Sequence, residues 1–147
     1  MSTNSIGETA KSHFESGYNC AESVLLALME TFGLKCNMAP RMSSGFGAGM
    51  GRCGHACGAF TGAVIGFGLM FGRDNPEDDR EKIYPKIVEL EGRFIREFGA
   101  LDCRALIDFD LRTPDGREGA KAAGVHQSKC ALFVSKTAEM AAEIAGS

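Results

Sequence analysis

Apolar residues along this chain recur at the spacing of one helical face, and nowhere do they alternate over a length convincing for a strand. Ile6 to Glu15 carries Ala10 and Phe14 at that spacing and predicts a short helix ending near Gly17. Asn19 is a strong N-cap residue, and the helix it starts carries Leu25, Leu28, Met29 and Phe32 on one face before Gly33 ends it. Pro40, at a first helical position, predicts a short helix within Cys36 to Ser44. Asp74-Asn75-Pro76-Glu77 reads as the start of a helix whose core face is Ile83, Ile87, Leu90, Phe94 and Phe98, with Pro85 either kinking it or marking a second start. Asp102-Cys103 begins a short helix through Ile107, Thr113 to Gly116 reads as a turn, and Gly119 to Gln127 is weakly patterned and reads as loop. Ser128-Lys129-Cys130 starts a last helix that buries Phe133, Thr137, Met140 and Ile144.

Between these elements lies Gly45 to Gly72, GFGAGMGRCGHACGAFTGAVIGFGLMFG, which holds no Asp, Glu, Lys or Arg after Arg52. Glycine costs a helix up to about 1 kcal/mol against alanine, so its repetition needs a packing reason. Gly54, Gly58, Gly62 and Gly66 recur every four residues and predict a bare stripe on a helix of roughly His55 to Phe71, against which another backbone can lie closely. That partner could come from the same chain or from a second copy, as a homodimer. Gly45, Gly47, Gly49 and Gly51 have period two, suit a loop, and free N–H groups to face an anion or sulfur. The uncharged run approaches the roughly 20 residues of a membrane span, but its glycines and His55 argue for a buried helix instead. The expected fold is all-α, a compact bundle of about five to seven helices around this glycine-rich one, within a single domain of residues 1–147.

Composition changes little in that picture. The net charge of −3 and 44% apolar residues are ordinary for a globular domain, no basic patch suggests nucleic acid, and no segment suggests membrane insertion. MSTNSIGETAKSHF has no apolar export signal, so a cytoplasmic location is expected. Six cysteines then point to metal binding or redox chemistry rather than to a disulfide framework.

Cys20, Cys103 and Cys130 each follow a capping residue by one or two positions, and Cys57 lies near the start of the glycine-rich helix. In a first helical turn, free N–H groups and the helix dipole favour thiolate over thiol. Four such thiolates suit an iron–sulfur cluster; the same four could hold zinc, or form two reversible disulfides with no metal. Cys53, four residues before Cys57, is a candidate extra ligand or resolving thiol, and His55, two residues from both, could tune thiolate pKa or replace a ligand. Arg52 and Arg104 adjoin cysteines and could offset thiolate charge. His13, His126 and Cys36 read as ordinary surface or core residues.

CGAFTG, Cys57 to Gly62, fits the CGAxxG motif of the C_GCAxxG_C_C family of small bacterial redox-active proteins, which is defined by four cysteines. GYNCAESVL before it, GFGAGMGRCG leading into it, Cys103 in DCRALI and Cys130 ahead of an alanine-rich final helix resemble that family in order, from about Phe14 to Ile144. The resemblance implies an all-helical domain with a redox role. A similar domain occurs in split-Soret cytochromes, where its cysteines are linked to an iron–sulfur cluster; this chain lacks CxxCH and resembles only the non-haem domain. Cys36 and Cys53 fall outside the four. GxSxG, HExxH, P-loop and dinucleotide fingerprints are all missing, which leaves an electron-transfer or oxidoreductase component with an unidentified donor and acceptor, a thiol–disulfide protein, or a structural zinc module.

Overall fold

The computed structural model describes residues 3–147, which form helices and, among those residues, one isolated bridge in place of any strand. In order they are α1 (Thr3–Glu15), α2 (Cys20–Phe32), a 3₁₀ segment (Arg41–Phe46), α3 (Gly47–Met50), α4 (Gly58–Phe71), a 3₁₀ turn (Arg80–Lys82), α5 (Tyr84–Phe98), α6 (Cys103–Ile107), α7 (Pro114–Ala123), a π-helical turn (His126–Cys130) and α8 (Ala131–Ala145). The all-α expectation holds: among the described residues there are eight helical elements numbered α1 to α8, of which α3 is a single left-handed turn. An addition to the expected set is α7. Thr113-Pro114-Asp115-Gly116 is a helix start and not a turn: Thr113 Oγ1 accepts from the Gly116 N–H at 2.9 Å and Pro114 occupies the first turn, where its missing N–H costs nothing.

α2 begins as its sequence demands. Asn19 Oδ1 accepts from the Glu22 N–H and Glu22 Oε1 from the Asn19 N–H, both at 2.9 Å, a reciprocal cap that fixes where Cys20 sits. Its buried face is Val24, Leu25, Ala27 and Leu28, so the expected face is shifted: Phe32 is 38% exposed. α5 starts at Tyr84, with Pro85 in its first turn, so the second-start reading of Pro85 is the right one and residues 74–79 stay outside the helix. α8 buries Phe133, Thr137, Met140 and Ile144 as expected. It packs on α1, α2, α4 and α5, and Phe133 closes on Phe98 at 4.8 Å between ring centroids.

The glycine stripe is three residues long, not four. Gly54 lies outside the helix at φ +78°, and α4 begins at Gly58 with Cys57 as its N-cap residue, so it is shorter than expected at its start. A Cβ on Gly58 would meet the Cys20 sulfur, one on Gly62 would meet the Ala21 carbonyl, and one on Gly66 would come within 2.6 Å of Leu28 Cδ1. The stripe is therefore the groove into which α2 of the same chain is laid, and it is not free for a second copy. At 14 residues α4 falls short of the roughly 20 a bilayer requires; among the described residues no helix is long and apolar enough to cross a membrane.

Candidate functional site

Cys20, Cys57, Cys103 and Cys130, from four separate segments, line one cavity of about 530 Å³. The close approach of α2 and α4 sets the first two. Cys20 opens α2, and the bare Cα of Gly58 leaves room for its sulfur. Cys57 is held by its N–H to the Leu101 carbonyl at 2.9 Å. Cys103 opens α6, with its N–H on the His55 carbonyl at 2.7 Å, and Arg104 N–H donates to the Gly54 carbonyl at 3.2 Å. Residues 54–57 and 101–104 are thus laced together, around the bridge between Ala56 and Asp102, and carry Cys57 and Cys103 as one unit. Cys130 closes the π-helical turn that leads into α8. Its expected cap does not form, because the Ser128 hydroxyl bonds back to the Gly124 carbonyl at 2.9 Å. A π turn is rare and frequently falls at functional sites, and here it carries both His126 and Cys130 to the cavity wall.

The glycine-rich loop is left-handed. Ala48, Gly49, Met50, Gly51 and Arg52 all have φ between 56° and 75°, and the Gly51 N–H closes on the Gly47 carbonyl at 2.8 Å. Each non-glycine residue there costs on the order of 1–2 kcal/mol, strain that a fold keeps only where surrounding contacts hold it. Its product is a donor: the Ala48 N–H points at the Cys20 sulfur, together with the N–H groups of Ala21, Gly58 and Cys20 itself. Ala59 N–H likewise reaches the Cys57 sulfur.

These donors do not make thiolates of the metal-free site. Burial pushes the Cys20 thiol up despite its four N–H neighbours. Burial, then the charge of Cys20, holds Cys57 well above the usual range. The same two causes push Cys103 up to about 11 and Cys130 up to about 12. All four carry protons at neutral pH, contrary to the expectation from helix starts alone. A thiol raised by folding keeps its proton where the unfolded chain has lost it, so its stabilising effect is complete below about pH 8 and is lost as pH rises through the folded pKa. The melting temperature of metal-free protein should therefore hold steady from about pH 7 to 8 and fall from about pH 9 upward. Cys103→Ser should flatten part of that fall; a variant curve parallel to the parent's throughout would contradict the buried thiol.

The other sequence candidates lie elsewhere. Cys53 and His55 are exposed and outside the cavity wall; His55 acts through its backbone, accepting from Cys103 and donating to the Gly49 carbonyl at 3.0 Å. Cys36 sits 3.9 Å from Met42 Sδ, away from the cavity. Arg104 pairs with Asp110 at 3.6 Å rather than with a thiol, and Arg52 is exposed. Phe14, Lys121, His126 and Gln127 also line the wall, and no motif in the sequence marks them as site residues. The one usable signal was proximity along the chain, since His126 and Gln127 lie within one turn of Cys130.

All six cysteines are free. Among the described residues, no three His, Cys, Asp or Glu side chains are arranged to hold a single metal ion. A family model described as "Putative redox-active protein (C_GCAxxG_C_C)" matches residues 18–144, a span that includes all four cavity cysteines. No curated protein and no solved structure matches the chain.

Proposed function

The chain belongs to the C_GCAxxG_C_C family, and on that premise we propose that it is a redox protein whose Cys20, Cys57, Cys103 and Cys130 hold an iron–sulfur cluster and pass electrons through it. The observation that carries this is the meeting of the four thiols on one cavity wall. Bound there, the cluster supplies a redox centre whose potential responds to hydrogen bonds at its sulfurs and to burial. The chain contributes the rest. N–H groups of Ala48, Ala21 and Gly58 donate to the Cys20 sulfur, and that of Ala59 to Cys57, so negative charge on these sulfurs is held without a compensating cation. Phe14, Ile107 and Phe133 keep water from the wall.

Stoichiometric zinc without iron or sulfide would instead mark a structural zinc module at the same thiols. Thiol–disulfide exchange needs an accessible thiolate, whereas these thiols are held protonated by burial. Single serine substitutions of the six cysteines test the assignment by iron and sulfide bound after anaerobic isolation. Cys20, Cys57, Cys103 and Cys130 variants should each lose most of both, while Cys36→Ser and Cys53→Ser keep the parent's content. Full retention by a cavity variant, or loss at Cys53, would reassign the site.

A further inference from the structure

We propose that the part of the cavity beyond the thiols binds a small aromatic carboxylate, with its apolar body inside and its charge against Lys121. The proposal rests on the reading of the thiol wall as the redox site, whose ligand class it names. Size is the first support. Even a cluster of eight iron and sulfur atoms, at no more than about 30 Å³ per atom, takes on the order of 240 Å³, roughly half of this open cavity's 530 Å³. What remains has room for a small aromatic ligand of one or two rings, and cavities of this overall size are the usual scale of small-molecule sites.

The lining supplies the chemistry. Phe14 and Phe133 are buried on the wall, and the His126 ring stacks on Phe14 with centroids 4.1 Å apart and 22° between planes. That arrangement presents aromatic surface to a flat ring. Polar groups gather elsewhere: Lys121, His126 and Gln127 are exposed, whereas Val125 and Phe133 are buried. Charge decides the sign of the ligand. The chain has 19 Asp and Glu, yet among the described residues none lines this cavity, and Lys121 is the one Lys or Arg that does. Lys121 stands at the exposed edge while Cys57 and Cys103 are buried, so a ligand's carboxylate pairs with the lysine on the solvent side, away from the negative thiolates.

The test uses 2-naphthoate and its uncharged carboxamide, titrated calorimetrically into anaerobically isolated protein of measured iron content. Naphthoate should bind at one site and more tightly than the carboxamide. Lys121→Gln should weaken naphthoate about fivefold, with carboxamide binding and iron content unchanged. Iron-loaded protein that ignores naphthoate, or binds it equally well after Lys121→Gln, overturns the proposal. Loss of iron from Lys121→Gln with naphthoate binding intact would assign the lysine to the thiols, and overturns it too. Lys121-dependent binding to protein that holds no iron upholds this ligand class and removes the cluster.

Discussion

Replacing Gly62 with leucine is expected to destabilise the fold by about 1 to 3 kcal/mol and to deplete bound iron, although every cysteine stays in place. The Gly62 Cα faces Ala21, whose carbonyl would overlap a Cβ there and whose Cα lies 2.8 Å from it. Both contacts are backbone, so no side-chain rotation relieves them. The helices must separate, and the residues flanking this contact are Cys20 beside Ala21 and Cys57 at the head of α4. Helix propensity alone predicts the opposite sign, since leucine is the better helix former by up to about 1 kcal/mol. A thermal melt separates the two: a variant at or above the parent's melting temperature with full iron content would mean that the α2–α4 contact does not set the thiols.

A comparable loss is expected from Gly49→Ala, and its neighbour provides the control. Gly49 and Gly51 both have left-handed φ, 66° and 57°, so alanine at either costs about 1–2 kcal/mol in the backbone. Around Gly51 there is nothing within 4 Å, whereas a Cβ on Gly49 meets the His55 N and O at 2.6 Å and Cys103 Cβ at 2.8 Å. Overlap of that kind adds about 1–3 kcal/mol and pushes against the segment that carries Cys103. Gly49→Ala should melt lower than Gly51→Ala and lose iron that Gly51→Ala keeps. Equal melting temperatures would show that the left-handed loop is not packed against Cys103.

Which features the sequence disclosed follows from how local their causes are. The caps at Asn19 and Gly33 rest on residues within one turn, and their elements formed where the sequence places them. Gly58, Gly62 and Gly66 announced a close helix approach because nothing but packing repeats glycine every four residues. Thr113-Pro114 was ambiguous, since the same residues that start a turn also start a helix, and only the length of chain that follows decides. The left-handed loop was half legible: alternating glycines implied irregular backbone, but Ala48, Met50 and Arg52 are residue types that give no sign of positive φ, and the loop is closed by Cys53 on the Met50 carbonyl and His55 on the Gly49 carbonyl. The thiol pKa values went the other way from the local expectation. Helix starts are visible in sequence, whereas burial depends on the whole fold, and here burial outweighs the N–H donors. The ligand half of the cavity stayed hidden for the same reason, as Phe14 and Lys121 stand far apart in the chain and are joined only by packing.

Iron and acid-labile sulfide per chain, measured with the visible spectrum on protein isolated without oxygen, bear most directly on the central claim. Iron and sulfide in matching, near-stoichiometric amounts, with sulfide-to-iron absorption that bleaches on reduction, are the predicted result. A colourless protein with neither element after anaerobic reconstitution, and with its four cavity thiols fully titratable, would contradict it.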